Sequence, residues 1–340
     1  MYRYIGNKTK VLSSLIPIIT DGLAPGDRVA DLMCGTASVS AACRAAGFKV
    51  TASDILTFAT FHAQTRLLGS PPTFDSLGLS YQGLLDELNN LEPEAGYFTN
   101  EYSEVGTPRS GDPARKYLTH ANAARLDAIS SRLTGLHTTG MLHAVETAVL
   151  RHNLVLAVNR VANIAGTYGH FRSTFSRSSM QRLELRPTTF ASTNPLGHEV
   201  HQGRAEDLAS TISADLVYID PPYMKRQYAA NYHLLETVAL GDEAPAVGKS
   251  GLRDWWPQYS DFCSKRKIHG AFREVLTKSP ASRFMISYSE DGLLSEAQMY
   301  EMLAEYGSVR VHRFKHTRFR SNASKLTGEL EELVFEVDRR

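Results

Sequence analysis

Seven short apolar runs bounded by turn-forming residues constrain this chain more than any other feature: 28–32, 48–52, 199–201, 215–219, 283–288, 309–314 and 332–337. Runs of this length read as strands. Helical patterns stand between most of them, as at 38–46 after the first run and 298–306 before the sixth. Strands alternating with helices predict an α/β fold built on a mostly parallel, doubly wound sheet. Only a polar loop separates the last two runs, so they are expected to form an antiparallel hairpin at the sheet edge.

The alternation is interrupted once. About 140 residues separate the second run from the third, opening at the turn-rich Gly69, Ser70, Pro71 and Pro72 and closing near Pro195. Helical patterns at 121–133 and 141–163, then a glycine-punctuated aromatic loop from Gly166 to Phe171, predict an inserted, mostly helical lobe. The organisation expected is a main domain of residues 1–68 and 196–340, with residues 69–195 inserted. A further stretch, 241–256, bears Gly, Pro and Trp and reads as a surface loop able to close over a substrate.

Composition excludes several classes. No apolar run approaches the roughly 18 residues of a membrane helix, and no signal-type block follows the basic N-terminus. The reading is a cytoplasmic protein without a membrane partner. Cys34, Cys43 and Cys263 lack metal-ligand spacing, so neither zinc nor disulfides are expected. The net charge of +1 hides two basic stretches. Residues 151–186 hold six arginines against Glu184 alone, and residues 310–325 hold six basic residues with no acid. Each is a solvated face or a polyanion contact, and only its position relative to a reactive site decides.

Three motifs carry chemistry. The first run ends in Asp31 and opens DLMCGTASVS, in which Gly35 admits a ligand close to the backbone and Thr36 and Ser38 offer hydroxyls at a helix start. It is not the GxGxxG of dinucleotide-binding proteins. Asp54, at the end of the second run, can accept both hydroxyls of a ribose, or it can be a plain cap. The most specific signal is Asp220-Pro221-Pro222-Tyr223 after the fourth run. Two prolines lack amide hydrogens and hold a rigid turn whose carbonyls point outward. An amino group on a nucleobase is a poor nucleophile because its lone pair is delocalised into the ring. Asp220 and the Pro221 carbonyl, accepting its two hydrogens, would aim that lone pair at a methyl donor, and Tyr223 would stack on the base.

With these motifs in this order the chain resembles the alpha-class, Dam-like N6-adenine-specific DNA methyltransferases of the restriction-modification type, over nearly its whole length. Tyr4-Ile5-Gly6-Asn7-Lys8 looks like that family's opening motif, the 226–237 and 285–295 stretches look like later family segments, and the family's target-recognition region falls where the insert lies. The resemblance implies a Rossmann-like seven-stranded methyltransferase sheet and S-adenosyl-L-methionine held by Tyr4, Gly6, Asn7, Lys8, Asp31, Cys34, Gly35, Thr36, Ala37, Ser38, Asp54, Ile55 and Asp220. Two departures stand out: Met33 and Ala37 replace the aromatic residue and second glycine of the usual FxGxG loop, and Arg204, with Glu206 and Asp207 nearby, sits where relatives carry an acid.

The expected activity is methylation of an adenine flipped out of duplex DNA. Candidate DNA contacts are Tyr168, His170, Arg172, Arg177 and Arg182 in the insert, Lys225, Arg226 and Tyr228 beyond the pocket, and Arg318 and Arg320 before the last strand. Double-stranded DNA is the expected partner, a cognate restriction endonuclease a candidate one, and a monomer the favoured state. Association with DNA would place the protein at the nucleoid. An RNA adenine methyltransferase, a cytosine amino methyltransferase and a non-catalytic DNA-binding protein on the same fold stay open.

Overall fold

The computed structural model describes residues 3–190, 197–317 and 329–339. All seven expected strands form, within a few residues of their predicted limits: β1 (Arg28–Asp31), β2 (Lys49–Asp54), β3 (Glu199–Gln202), β4 (Leu216–Ile219), β5 (Arg283–Ser289), β6 (Gly307–Thr317) and β7 (Glu329–Arg339). They make one sheet in the order β3-β2-β1-β4-β5-β7-β6. β1 to β5 run parallel, while β7 is antiparallel to both β5 and β6. The hairpin therefore inserts its second strand next to β5 and leaves β6 at the edge, a Rossmann-like methyltransferase sheet.

The central strands are buried on both faces, as parallel strands covered by helices must be. Alternation along β4 sends Leu216 and Tyr218 to one side and Val217 and Ile219 to the other. On the first side they meet Leu15 and Ile19 of helix Leu12–Thr20 and Val39 and Cys43 of helix Ser38–Ala45. On the second they meet Phe272 and Leu276 of helix Ile268–Lys278 and Met299 and Leu303 of helix Glu296–Ala304. Every strand carboxyl end from β1 to β5 thus emerges at one edge of the sheet.

The chain divides into two compact units, one holding the sheet (Ile5–Gly69, Ala191–Tyr228, Gln258–Arg340) and one made of Met1–Tyr4, Ser70–Phe190 and Ala229–Pro257. The second unit contains helices His120–Thr138 and Ala144–Val161, close to the two helical patterns in the sequence. It also claims residues 229–257, which the sequence places in the main domain. The reason is packing: helix His233–Leu240 buries Leu234, Leu235 and Val238, the Val238 carbonyl accepts from Arg151, and Tyr232 stacks on Tyr4 at 4.7 Å. Arg151 is 3% exposed and also donates to Ser130 and Thr134, so one arginine of the basic stretch is a core residue.

Among the described residues no helix is long and apolar enough to cross a membrane, and no cluster of His, Cys, Asp or Glu is placed to hold a metal. The three cysteines are buried free thiols.

Asp127 shows how the helical unit is tied together. From inside one helix its carboxylate accepts from the amides of Gly96, Phe98 and Thr99 and from the Thr99 hydroxyl, at 2.7–2.9 Å, and so caps helix Tyr97–Tyr102 from outside. Asp127→Ala strands these donors in a buried setting and is expected to cost about 3 kcal/mol, read as a lowered denaturation midpoint.

Candidate active site

The strand order reverses between β1 and β4, and in open α/β sheets the crevice outside the carboxyl ends at such a reversal is where ligands bind. Three acids stand there: Asp31 ends β1, Asp54 ends β2, and Asp220 follows β4. β1 and β4 are in register with Asp31 beside Tyr218, and the Leu32 amide donates to the Tyr218 carbonyl.

The β1 turn is held from below. The Cys34 amide donates to the Ser53 carbonyl, and the Gly35 amide donates to one oxygen of Asp54 at 2.9 Å. The other oxygen of Asp54 accepts from the Leu56 amide at 2.9 Å. Asp54 thus staples its own loop to the β1 loop. Both Gly35 (φ +50°) and Ala37 (φ +54°) are left-handed, which curls the backbone of residues 34–38 at the start of helix Ser38–Ala45. Thr36, Ala37, Ser38 and Cys34 are all buried, and burial holds the Cys34 thiol neutral.

Asp31 is 1% exposed. Its Oδ2 accepts from the Ser40 hydroxyl at 2.6 Å, whereas Oδ1 has no partner among the described residues. Burial pushes this carboxyl up to about 7, against the Ser40 bond and with help from Asp220 and Asp54. A buried acceptor without a donor fits a ligand that brings a cation or N–H to it.

The Asp220 motif is built around Lys8. In the short helix Lys8–Lys10, begun by Asn7 accepting from the Thr9 amide, Lys8 is 5% exposed and its ammonium lies 2.8 Å from Asp220 Oδ1 and 2.8 Å from Glu332 Oε1. Gly6 (φ +77°) provides the bend before it, close to the hydroxyls of Tyr228 and Tyr223. Burial alone would lower the Lys8 pKa, but the two carboxylates override it and hold the ammonium charged. Burial and Glu332 push Asp220 up, to about 6, against Lys8. The half-buried ring of Tyr223 meets Tyr288 edge-on at 6.3 Å and has the Lys8 ammonium 5.9 Å from its centre.

The sequence did not point to Glu332, nor to a strap at residues 258–263. Gln258 donates to the Ile55 carbonyl, and Ser260 and Gln227 exchange two hydrogen bonds. Arg204 binds the Tyr259 carbonyl and Asp261, and it also pairs with Glu206 at 3.0 Å. The strap is therefore tied to the loops after β2, β3 and β4. Arg204 is engaged by three acids, with Asp207 the most distant at 3.9 Å, so it is a fastener of the loops.

The structure places the other expected positions as follows. Lys8, expected at the cofactor, has its ammonium taken by two carboxylates. Tyr4, expected beside the same ligand, stacks on Tyr232 within the helical unit. Tyr168, expected on DNA, is fully buried with its hydroxyl accepting from Asn159, because the aromatic loop folds its tyrosine inward. Tyr228 is half-buried and donates to the Ile5 carbonyl. His170, Arg172, Arg177 and Arg182 are exposed, the last donating to the Asn89 carbonyl, and Lys225 and Arg226 are exposed after the motif. In the second basic stretch Arg310 pairs with Glu336 and Asp338 and Arg313 with Glu296, acids supplied by β7 and a helix. Arg318 and Arg320 lie outside the described residues.

The departure at Ala37 has a measurable consequence. A left-handed alanine costs about 1 kcal/mol relative to glycine. Ala37→Gly is therefore expected to raise the melting temperature by a few degrees, with an unchanged or lower value refuting the strain.

Comparison with known proteins agrees with this geometry. Residues 4–302 match the family described as D12 class N6 adenine-specific DNA methyltransferase. Type II methyltransferase M.FokI of Planomicrobium okeanokoites is 30% identical over 99% of this chain, and modification methylase StsI of Streptococcus sanguinis is 30% identical over the same share. This chain spans about half, 52%, of the length of each. Type II methyltransferase M.NlaIII of Neisseria lactamica is 29% identical over 98% of this chain and 97% of its own length. With a matching family over most of its length and the Asp220 motif at the strand end, the chain belongs to the D12 class of N6 adenine-specific DNA methyltransferases.

Proposed function

We propose that this chain transfers a methyl group from S-adenosyl-L-methionine to the N6 amino group of an adenine flipped out of duplex DNA, at a specific sequence. The observation that carries the reading is Asp220, half-buried just past the end of β4 and tied by its Oδ1 to Lys8, beside Pro221, Pro222 and Tyr223. When bound, S-adenosyl-L-methionine supplies an electrophilic methyl group on a positively charged sulfur. Asp31, Gly35, Thr36, Ala37 and Ser38 would hold its methionine part, the partnerless oxygen of Asp31 meeting the ammonium, and Asp54 would accept the ribose hydroxyls.

The chain's own residues then do four things. Tyr223 stacks on the flipped base, returning roughly 1 to 3 kcal/mol of the unstacking cost. Asp220 and the Pro221 carbonyl accept the two amino hydrogens and draw the nitrogen towards tetrahedral geometry. Lys8 keeps Asp220 ionised and oriented. Asp220, whose carboxyl is pushed up to about 6, is a better acceptor for the proton that N6 must lose than an ordinary carboxylate. Exposed Lys225 and Arg226, with Arg172 and Arg177, are offered to phosphates, and His170 to a base edge or backbone. The names of the relatives, type II methyltransferases and modification methylases, support a restriction-modification setting with a cognate endonuclease.

Tritium transfer from labelled donor to duplex DNA, single strands and RNA tests the reading, with the product identified by digestion to nucleosides. N6-methyladenine in duplex DNA is expected; label only in RNA or on cytosine overturns it. The acidic limb of kcat/KM is expected near pH 6, and Asp220→Ala to abolish transfer with donor affinity kept within a few fold.

A second outcome follows from Asp31. Its carboxyl rises from 3.8 to about 7 on folding, so the neutral acid's contribution to the free protein is complete below about pH 4 and lost as pH rises through 7. A donor cation on Oδ1 favours the ionised form. The gain in melting temperature on adding S-adenosyl-L-methionine is expected to grow from pH 6 to pH 8, and Asp31→Asn to flatten that growth; a pH-independent gain in the unaltered protein counts against the ammonium contact.

A further inference from the structure

Glu332 lies on β7, far along the chain from both Lys8 and Asp220, and is 3% exposed. Its Oε1 accepts from the Lys8 ammonium at 2.8 Å and from the Ser287 hydroxyl of β5 at 2.5 Å. Lys8 and Asp220 alone would make a neutral pair. The second carboxylate leaves this buried cluster with a net charge of −1, and an extra buried charge is costly unless it is held by donors. Ser287 and Lys8 are those donors.

The placement separates the two oxygens of Asp220. Lys8 binds Oδ1, and Glu332 accepts from the same ammonium at 2.8 Å, so Lys8 is held by two acceptors. Without Glu332 the long lysine side chain would be free to swing across the Asp220 carboxylate and occupy the oxygen that the amino group needs. We infer that Glu332 is a positioning residue for methyl transfer: it anchors Lys8 on Oδ1 and thereby leaves Oδ2 of Asp220 for the adenine amino group. This rests on the reaction proposed above.

The charged and titratable groups facing Asp220 are Lys8 from the N-terminal segment, Glu332 from β7, Tyr218 from β4, Asp31 from β1 and Tyr223 from its own turn, with the Ser287 hydroxyl on Glu332. Burial and Glu332 raise the Asp220 pKa and Lys8 lowers it. Removing the charge of Glu332 while keeping its oxygen should therefore let Asp220 ionise at lower pH.

Glu332→Gln makes that change, since one amide oxygen can accept from both Lys8 and Ser287. The test measures the pH dependence of kcat/KM on duplex DNA and, independently of turnover, the titration of Asp220 by carbon NMR of aspartate-labelled protein. In Glu332→Gln both the acidic limb and the Asp220 midpoint are expected to fall by about one pH unit. In Glu332→Ala, which frees Lys8, kcat on the plateau is expected to fall about a hundredfold with KM for the donor within about threefold. If Glu332→Ala does not fold, Glu332→Asp, whose carboxylate is one methylene short of the Lys8 ammonium, takes its place, and an unchanged plateau kcat in the variant that folds overturns the role. An Asp220 midpoint unmoved in Glu332→Gln overturns the role. A midpoint that falls in a protein whose unaltered form methylates no DNA upholds the coupling and rejects the proposed reaction instead.

Discussion

A single buried ammonium organises the reactive end of the sheet. Lys8 comes from the N-terminal segment, Asp220 from the end of β4 and Glu332 from β7, and the ammonium touches both carboxylates at 2.8 Å. None of the three charges is tolerable there alone, because each would lose its hydration without a partner. Their mutual dependence ties three chain-distant segments to one point. Removing Lys8 would leave two carboxylates without a counter-charge, so the N-terminal segment, the catalytic turn and the hairpin are coupled by electrostatics as well as by the sheet.

The rest of the site hangs on the reversal of strand order between β1 and β4. That reversal opens a crevice and puts three acids on its rim, each treated differently by its surroundings. Asp54 spends one bond from each oxygen on stapling loops, Asp31 is left with an oxygen lacking a donor, and Asp220 is bound to a lysine. The three environments match the three proposed tasks of ribose recognition, ammonium recognition and activation of an amino group. The strap at 258–263, fastened by Arg204 and Gln227, joins the loops after β2, β3 and β4.

Much of this was legible before any coordinates. The strands were readable because apolar runs of three to six residues between turn signals have few other uses, and the antiparallel finish was readable from the lack of a helix between the last two runs. Asp220 through Tyr223 was legible because two adjacent prolines between an acid and an aromatic residue are chemically specific. Charge runs misled where acids lay across the sheet: Arg310 and Arg313 look unopposed along the chain, yet β7 and a neighbouring helix neutralise them. Arg151 and Tyr168 misled because one arginine and one tyrosine of a polar-looking stretch turn inward to satisfy a helical core.

By itself the sequence determined the local objects: the strands, the glycine-bearing turn after β1, the rigid catalytic turn and the presence of an insert. Periodicity, backbone sterics and proline chemistry act over a few residues, so they can be read from neighbours in the chain. Tertiary structure alone decided which groups meet: Glu332 with Lys8, Arg204 with Asp261, and residues 229–257 with the helical unit. Those contacts depend on strand register and on packing between segments up to about three hundred residues apart, and no local pattern encodes a partner at that distance.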